Sequence, residues 1–278
     1  MVRTDLAVEL NESVDKSDSR YRGIIVREKR DSISDIKITT LEILNEEGEK
    51  LLNRSVGTYV TVEAESLVDC NEGYSERLIK ILEDEIYRLA KPCIVDNRHI
   101  LVIGLGNRDV TADSLGPWAT DKLLVNRHIV HDKSMCLKMS SLTPGVMAQT
   151  GMETAEIIKG IVKQTRPGLV IAIDALAAHS IKRLNSTVQI SNRGISPGSG
   201  VGNHREGITA ETIGAPVLAI GVPTVIDAAT IISDYSDGKE LPNYLSNMYV
   251  APKDVDACVS SIAEIIAESL NRVVYSYN

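Results

Sequence analysis

The sequence predicts an α/β fold with a mostly parallel sheet that is covered by helices on both faces. Three apolar segments support this prediction, and they begin at His99, Gly168 and Ala215, each before or between helical patterns. Strands that alternate with helices are typical of a right-handed parallel sheet. A chain of 278 residues with 43% hydrophobic content can bury a large core. We therefore predict a single α/β domain over residues 1–278.

The first 90 residues have a different pattern. Residues 1–22 are polar and charged, and we predict a flexible arm over residues 6–22. Alternating apolar and polar residues over 23–67 predict a hairpin-rich subregion, and a short helical turn is the alternative for residues 49–53. Apolar residues at helical spacing then predict an amphipathic helix over 74–89.

The first strand-to-helix unit contains an acidic loop. Its apolar strand, residues 100–103, is followed by a glycine turn, by Asp109 and Asp113, and by a helix that begins near Gly116 and Pro117. In open α/β sheets the functional groups lie just beyond the carboxyl ends of the strands, which favours Asp113 as a site residue. Alternatively, Asp113 or Ser114 simply caps the helix. Asp109 stands where a dinucleotide-binding fingerprint needs its third glycine, which argues against that class of site.

The second unit repeats this design and ends in another carboxylate. The apolar run from Gly168 reaches Asp174, which small residues follow. If its strand is parallel to the first, Asp113 and Asp174 lie at the same edge of the sheet. The alternative is a turn or cap role for Asp174. The two positions together predict a paired-carboxylate site.

The remaining segments complete the predicted sheet. Residues 191–206 are glycine-rich and polar without the Gly-Lys-Ser/Thr ending of a phosphate-binding loop, so we predict a loop that lines or covers a cleft. A third strand follows over 215–224, and helices are predicted over 225–232 and 255–273.

Composition excludes several classes of partner. The net charge is −8, so the chain lacks the basic excess that drives nucleic-acid binding. No apolar run is long enough for a membrane span, and the acidic residues near the N-terminus do not fit a signal peptide. The four cysteines include no C-x-x-C pair. We expect a cytoplasmic protein with free thiols.

Several segments, in the same order along the chain, resemble the spore germination protease family. They are RTDLAVE at 3–9, GLGNRDVTADSLGP at 104–117, LTPGVMAQTGMET at 142–154, IAIDALAA at 171–178, GISPGSGVGN at 194–203 and IGVPTVIDA at 220–228. The glycine-asparagine turn before Asp113 is also similar to that of the hydrogenase-maturation endopeptidases. The resemblance thus implies a fold of the hydrogenase-maturation-protease or phosphorylase-like type.

The resemblance also implies a function. It implies an endopeptidase that starts the degradation of small acid-soluble spore proteins during germination, with Asp113 and Asp174 as its essential carboxylates. It further implies a homotetramer in the forespore or spore core that is made as a zymogen. Self-cleavage after an acid and before a large apolar residue points to the Asp5–Leu6 bond, which makes residues 1–5 the prosegment.

Two close carboxylates can hydrolyse a peptide without a cofactor. Their repulsion raises one apparent pKa, so one can activate water while the other acts as an acid. A nickel-like or zinc-like ion held by Asp113, Asp174 and either His179 or His204 is an alternative, although no paired-histidine metal motif is present. A non-catalytic α/β binding protein is another, since a fold alone does not decide function.

Overall fold

The computed structural model describes residues 4–67, 71–130, 136–198, 205–235 and 248–276. Within these residues, nine strands form one sheet. The strands are β1 (Ile24–Arg30), β2 (Lys37–Ile43), β3 (Gly57–Glu63), β4 (His99–Gly104), β5 (Lys138–Leu142), β6 (Leu169–Ala178), β7 (Thr187–Ser191), β8 (Val217–Asp227) and β9 (Tyr249–Val250).

The sheet is mixed, with a parallel half and an antiparallel half. Its strand order is β1-β2-β3-β7-β8-β6-β4-β5, with β9 added to β8. Strands β8, β6, β4 and β5 are parallel, whereas β1, β2, β3 and β7 are joined to β8 by antiparallel pairing. The α/β class is confirmed. The predicted hairpins over 23–67 are present, and β3 pairs with β7 so that they continue the central sheet.

Helices cover both faces of the parallel half, and two of them pack on the antiparallel half. They are α1 (Ala7–Ser13), α2 (Glu46–Leu52), α3 (Glu72–Ala90), α4 (Leu115–Asp121), α5 (Met147–Thr150), α6 (Thr154–Thr165), α7 (Ala210–Ile213), α8 (Ala228–Tyr235) and α9 (Val255–Ser276). Ile100 and Val102 of β4 belong to the core formed with α3, α4 and α9. Leu101 and Ile103 of the same strand face the opposite core, formed with α6 and α7. This alternation is the one expected for a buried strand.

Two strands are longer than the sequence pattern indicates. β6 continues beyond Asp174 to Ala178, and β8 continues to Asp227, so α8 begins at Ala228 and not at Val225. The cause is their mutual pairing, which runs from Val170–Val217 to Ala178–Ile226 with one irregularity after Leu176. Cross-strand pairing of β-branched residues such as Val225 therefore outweighs the helical spacing there.

The N-terminal segment differs from the predicted flexible arm. Residues 7–13 form α1, and Leu6, Ala7 and Val8 are buried. Leu6 and Val8 pack on Leu176 and Ala178 of β6. The short apolar patch is therefore packed against the sheet. The polar residues around it in the sequence led to the prediction of a flexible arm, because the contact with β6 is not visible in a local pattern. In the described part of the chain, no helix has the length and apolar character needed to cross a membrane.

Candidate active site

Asp113 lies in a loop that follows β4. Gly106 starts this loop with φ +110°, and a Cβ atom there would lie 1.9 Å from the Asp113 carbonyl oxygen. The Asn107 backbone N–H donates to Asp113 Oδ2 at 2.8 Å. Thr224 Oγ1 on β8 donates to the Ala112 carbonyl oxygen at 2.6 Å. Glycine, the Asn107 amide and the neighbouring strand together fix the position of this carboxylate.

Asp174 lies within β6 and is 5% exposed. It pairs with Gly221 of β8, and its Oδ1 accepts the Ala175 backbone N–H at 3.0 Å. Burial raises the pKa of Asp174 well above its usual value, and the negative charges of Asp113 and Asp5 raise it further. The carboxyl group is thereby disposed to hold a proton.

Asp113 is also shifted toward the protonated form. Burial raises the pKa of Asp113, while the Asn107 N–H and the Arg205 guanidinium act in the opposite direction. Both carboxylates line one cavity of about 250 Å³, to which Pro197, Gly198 and Arg205 contribute from the predicted glycine-rich loop. The structure thus brings together the two carboxylates that the sequence pairs.

Asp5 lines the same cavity. Its backbone N–H donates to the Ala177 carbonyl oxygen, and its Oδ2 accepts the Ala177 N–H, both at 3.0 Å. One residue earlier, Arg54 Nη2 donates to the Thr4 carbonyl oxygen at 2.9 Å. The segment on either side of the Asp5–Leu6 bond is therefore bound beside Asp113 and Asp174, with Leu6 fully buried.

The structural alternatives for the two carboxylates are not observed. Neither Asp113 nor Ser114 caps α4, because the N-cap Ser114 makes no side-chain capping bond and its Oγ donates to the Thr111 carbonyl oxygen instead. Asp174 does not end its strand, since β6 continues for four more residues. The helix-cap role of Asp113 and the strand-end role of Asp174 are therefore absent.

Of the two histidines of the metal alternative, the described residues include only His179, which does not line the carboxylate cavity. His179 uses its backbone N–H to donate to Glu9, and its buried Nδ1 has no hydrogen-bond partner. It is not among the residues that line the cavity, and His204 lies outside the described residues. Over the described ranges, no group of three His, Cys, Asp or Glu side chains is arranged to hold a metal ion.

Three polar residues at or beside the site were not singled out by the sequence analysis: Arg205 and Thr224 line the cavity, and Gln189 lines a neighbouring cavity that shares Asp5 and Leu176. Arg205 lies in a loop, Thr224 in a strand and Gln189 in β7, where an isolated polar residue is usually a solvent-facing one. Gln189 donates a hydrogen bond to the Asp5 carbonyl oxygen in the N-terminal segment, although the two residues are 184 positions apart in the sequence. Only the folded sheet places Gln189 beside this segment.

Comparison with known proteins assigns the family. A protein-family model described as germination protease matches residues 2–238. The chain belongs to the germination protease family. It is therefore a peptidase, in agreement with the resemblance seen in its motifs.

Curated germination proteases match most of the chain. The protein of Caldanaerobacter subterraneus subsp. tengcongensis is 40% identical over an alignment of 307 positions, gaps included, which covers 97% of this chain and 93% of that protein. The protein of Clostridium acetobutylicum is 39% identical and covers 97% and 94%, respectively. That of Priestia megaterium is 44% identical over 248 residues, covering 85% of this chain and 66% of the relative.

One solved structure shows a distant likeness. The [NiFe] hydrogenase maturation protease HycI from Thermococcus kodakarensis KOD1 aligns with 70% of this chain and 98% of its own, at 17% identity and a TM-score of 0.38. A likeness at this level carries no argument about the site. The assignment of the germination protease family rests on the sequence matches.

Proposed function

We propose that this germination protease is an endopeptidase that starts the degradation of small acid-soluble spore proteins and that is made as a self-processing zymogen. The observation that carries the proposal is the cavity shared by Asp113, Asp174 and Asp5, with the Asp5–Leu6 bond bound beside the two carboxylates. Self-cleavage of that bond removes residues 1–5.

The proposed chemistry uses the carboxylates as a pair. One activates a water molecule for addition to the carbonyl carbon of the substrate, and the other, protonated, supplies a proton to the leaving amine. The raised pKa of both groups supports a shared proton. Which carboxylate holds it is a property of the pair. No metal or cofactor is assigned a role, and unchanged activity in the presence of a chelator is the expected result.

The bound segment supports the proposed specificity. The acid before the cut is bound through its carboxylate by the Ala177 N–H. The apolar residue after the cut, Leu6, fits among Val8, Leu176 and Ala178. A spore protein with an acidic residue followed by a large apolar one can occupy the same contacts once the segment has left. Until then the segment excludes it, which accounts for a zymogen.

The assembly and location remain proposals that rest on the family resemblance. We propose a homotetramer in the forespore or spore core, acting on small acid-soluble spore proteins and not on nucleic acid. Sedimentation of the purified chain tests the tetramer, and a monomer that cleaves spore proteins at full rate would exclude it as a requirement.

Intact mass against time tests the proposed function. The parent chain, Asp113→Asn, Asp174→Asn and the control Asp109→Asn are incubated at mildly acidic and at neutral pH. Asp109 is an exposed carboxylate of the same loop. We expect loss of residues 1–5 from the parent and the control but from neither site variant. Processing in either site variant would overturn the paired-carboxylate role, and a parent that cleaves neither itself nor a spore protein would overturn the endopeptidase proposal.

A further inference from the structure

Gln189 holds the main chain on both sides of Leu6. Its Nε2 donates to the Asp5 carbonyl oxygen at 3.1 Å, and its Oε1 accepts the Ala7 backbone N–H at 2.7 Å. The partners fix the orientation of this amide, because a flipped side chain would face oxygen with oxygen and N–H with N–H. The Asp5 carbonyl belongs to the Asp5–Leu6 bond. Gln189 is thus a hydrogen-bond donor to the carbonyl of the proposed cleavage site.

The sheet places Gln189 near the carboxylates. Gln189 of β7 pairs with Gly221 of β8, and Gly221 pairs with Asp174 of β6. Residues that oppose one another in a sheet have side chains on the same face, so Gln189 and Asp174 lie on one face at either side of a glycine. Two strand spacings separate their backbones by about 10 Å. A substrate segment over this face can be reached by both side chains.

A side chain at the glycine between them would displace Leu176. A Cβ atom at Gly221 would lie 2.4 Å from Leu176 Cδ1, and Leu176 contacts the buried Leu6. The absence of a side chain at position 221 therefore lets Leu176 lie over β8 as part of the apolar surface beneath the segment. The Gln189 carboxamide, Leu176 and Asp174 together form one continuous surface for the segment.

We propose that Gln189 is a catalytic residue that stabilises the oxyanion formed at the carbonyl of the cleaved bond; this inference rests on the proposed function. One carboxylate of the pair takes a proton from water as the water oxygen adds to the Asp5 carbonyl carbon, and the carbonyl oxygen takes on the negative charge while Gln189 Nε2 donates to it. The intermediate then collapses, the bond from this carbon to the Leu6 nitrogen breaks, and the nitrogen takes a proton from the other, protonated carboxylate. The products are a carboxylate at Asp5 and an amine at Leu6.

The Gln189 Oε1 atom contributes to the same reaction by positioning. Its bond to the Ala7 N–H holds the chain beyond the cut while the carbonyl carbon changes geometry. A donor whose position is fixed before reaction is more effective than water, because no reorganisation is needed as charge develops. Loss of a comparable side-chain donor lowers kcat by about 10²-fold to 10³-fold.

The first test compares Gln189→Met with the control Gln164→Met in the full chain. Methionine is similar in length but does not donate a hydrogen bond, and Gln164 is an exposed residue of α6. The readout is the first-order rate of loss of residues 1–5, in which the substrate is already attached. We expect Gln189→Met to lower this rate by about 10²-fold to 10³-fold and Gln164→Met to leave it unchanged. A Gln189→Met rate within about threefold of the parent would overturn the proposal.

A second variant separates the chemical role from a structural one. In Gln189→Glu, the carboxylate still accepts the Ala7 N–H but cannot donate, whereas the protonated acid can do both. The rate of Gln189→Glu relative to the parent should therefore rise by about tenfold or more between pH 7 and pH 5, as the acid form becomes more populated. The other charged groups that line the cavity around Gln189, namely Asp5, Arg54 and Arg193, are the same in both proteins. A ratio that is independent of pH would overturn the donor role.

The outcomes distinguish this inference from the proposed function. If the parent processes itself, if Asp113→Asn and Asp174→Asn do not, and if Gln189→Met matches the parent, only the Gln189 role fails. If the parent does not cleave the Asp5–Leu6 bond, or if cleavage survives in the aspartate variants, the proposed function fails first and the Gln189 inference fails with it. Thermal unfolding of each variant identifies any that lose rate through loss of the fold.

Discussion

Arg183 connects α1 to the sheet, and its replacement should destabilise the protein. Its guanidinium is 12% exposed and contacts three carboxylates: a bidentate pair with Glu12 at 2.7 and 2.8 Å, Glu63 at 3.0 Å and Glu9 at 3.6 Å. The Glu9 side chain is 3% exposed and Glu63 is 21% exposed, whereas Glu12 is half exposed. The contacts to Glu9 and Glu63 therefore carry most of the effect.

Removal of one partner of a buried ion pair costs about 3 to 5 kcal/mol, because a charge is left without its counterion. Glu9 keeps the His179 and Ser180 backbone N–H groups at 2.8 and 2.9 Å, which places the cost at the lower end. We expect Arg183→Met to lower the free energy of unfolding by about 3 kcal/mol. The exposed pair alone, removed in Glu12→Gln, should cost less than about 1 kcal/mol.

Urea unfolding of the parent and both variants measures these differences. The Asp113→Asn background should be used throughout so that self-processing does not change the chain during the experiment. The reasoning also requires that Arg183→Met combined with Glu63→Gln be less destabilised than the sum of the two single changes, because the pair shares one interaction. A loss below about 1 kcal/mol for Arg183→Met would refute the buried-pair argument.

Three further predictions concern the site and its supports. Because the pKa of Asp174 is raised in the native state, ionisation of its carboxyl group at neutral pH destabilises the fold, and this penalty disappears as the pH falls toward the usual carboxyl value near 4. Asp174→Asn should therefore raise the Tm at pH 7 to 8, by an amount that shrinks toward pH 4. An unchanged Tm would contradict this. Gly106→Ala should lower the free energy of unfolding by about 2 kcal/mol and slow processing, because the alanine would have an unfavourable φ and its Cβ atom would clash with the Asp113 carbonyl oxygen. The control Gly160→Ala, in open space on α6, should raise the free energy of unfolding by about 0.5 kcal/mol or more. Urea unfolding measures both changes. Burial lowers the pKa of His99 to about 4, so native stability should fall between pH 6.5 and 4, and His99→Gln should show a smaller fall in calorimetry.

Local patterns in the sequence were sufficient for the parallel half of the fold. The buried strand β4 is an apolar run that ends at Gly104, β6 begins as an apolar run that reaches Asp174, and helices α3, α6 and α9 have regular apolar spacing. These patterns depend only on residues within one helix or strand, so they can be recognised from the sequence without knowledge of the tertiary structure. They were also enough to place Asp113 and Asp174 at one edge of the sheet.

Contacts between distant segments could not be read in the same way. Strand β7 is five residues long and joins the hairpins to the parallel half by pairing with β3 and β8. The paired residues of β8 are more than 25 positions away in the sequence, and those of β3 are more than 120 positions away. No pattern within β7 itself therefore indicates which strands it pairs with. The contact between Gln189 and the N-terminal segment depends on this strand. The family resemblance therefore implied a cleavage site at Asp5–Leu6, but no local pattern indicated the residue that binds the Asp5 carbonyl.

The acid at position 5 has a second consequence for the proposed chemistry. A third negative charge beside Asp113 and Asp174 makes full ionisation of the site unfavourable, and the charge of Asp5 raises the pKa of Asp174. A substrate with an acidic residue before the cut therefore helps to keep the proton that the leaving amine needs. Leucine or another apolar residue after the cut adds burial, which disfavours charge further. The proposed specificity for an acid followed by a large apolar residue thus acts on the protonation of the carboxylate pair as well as on binding.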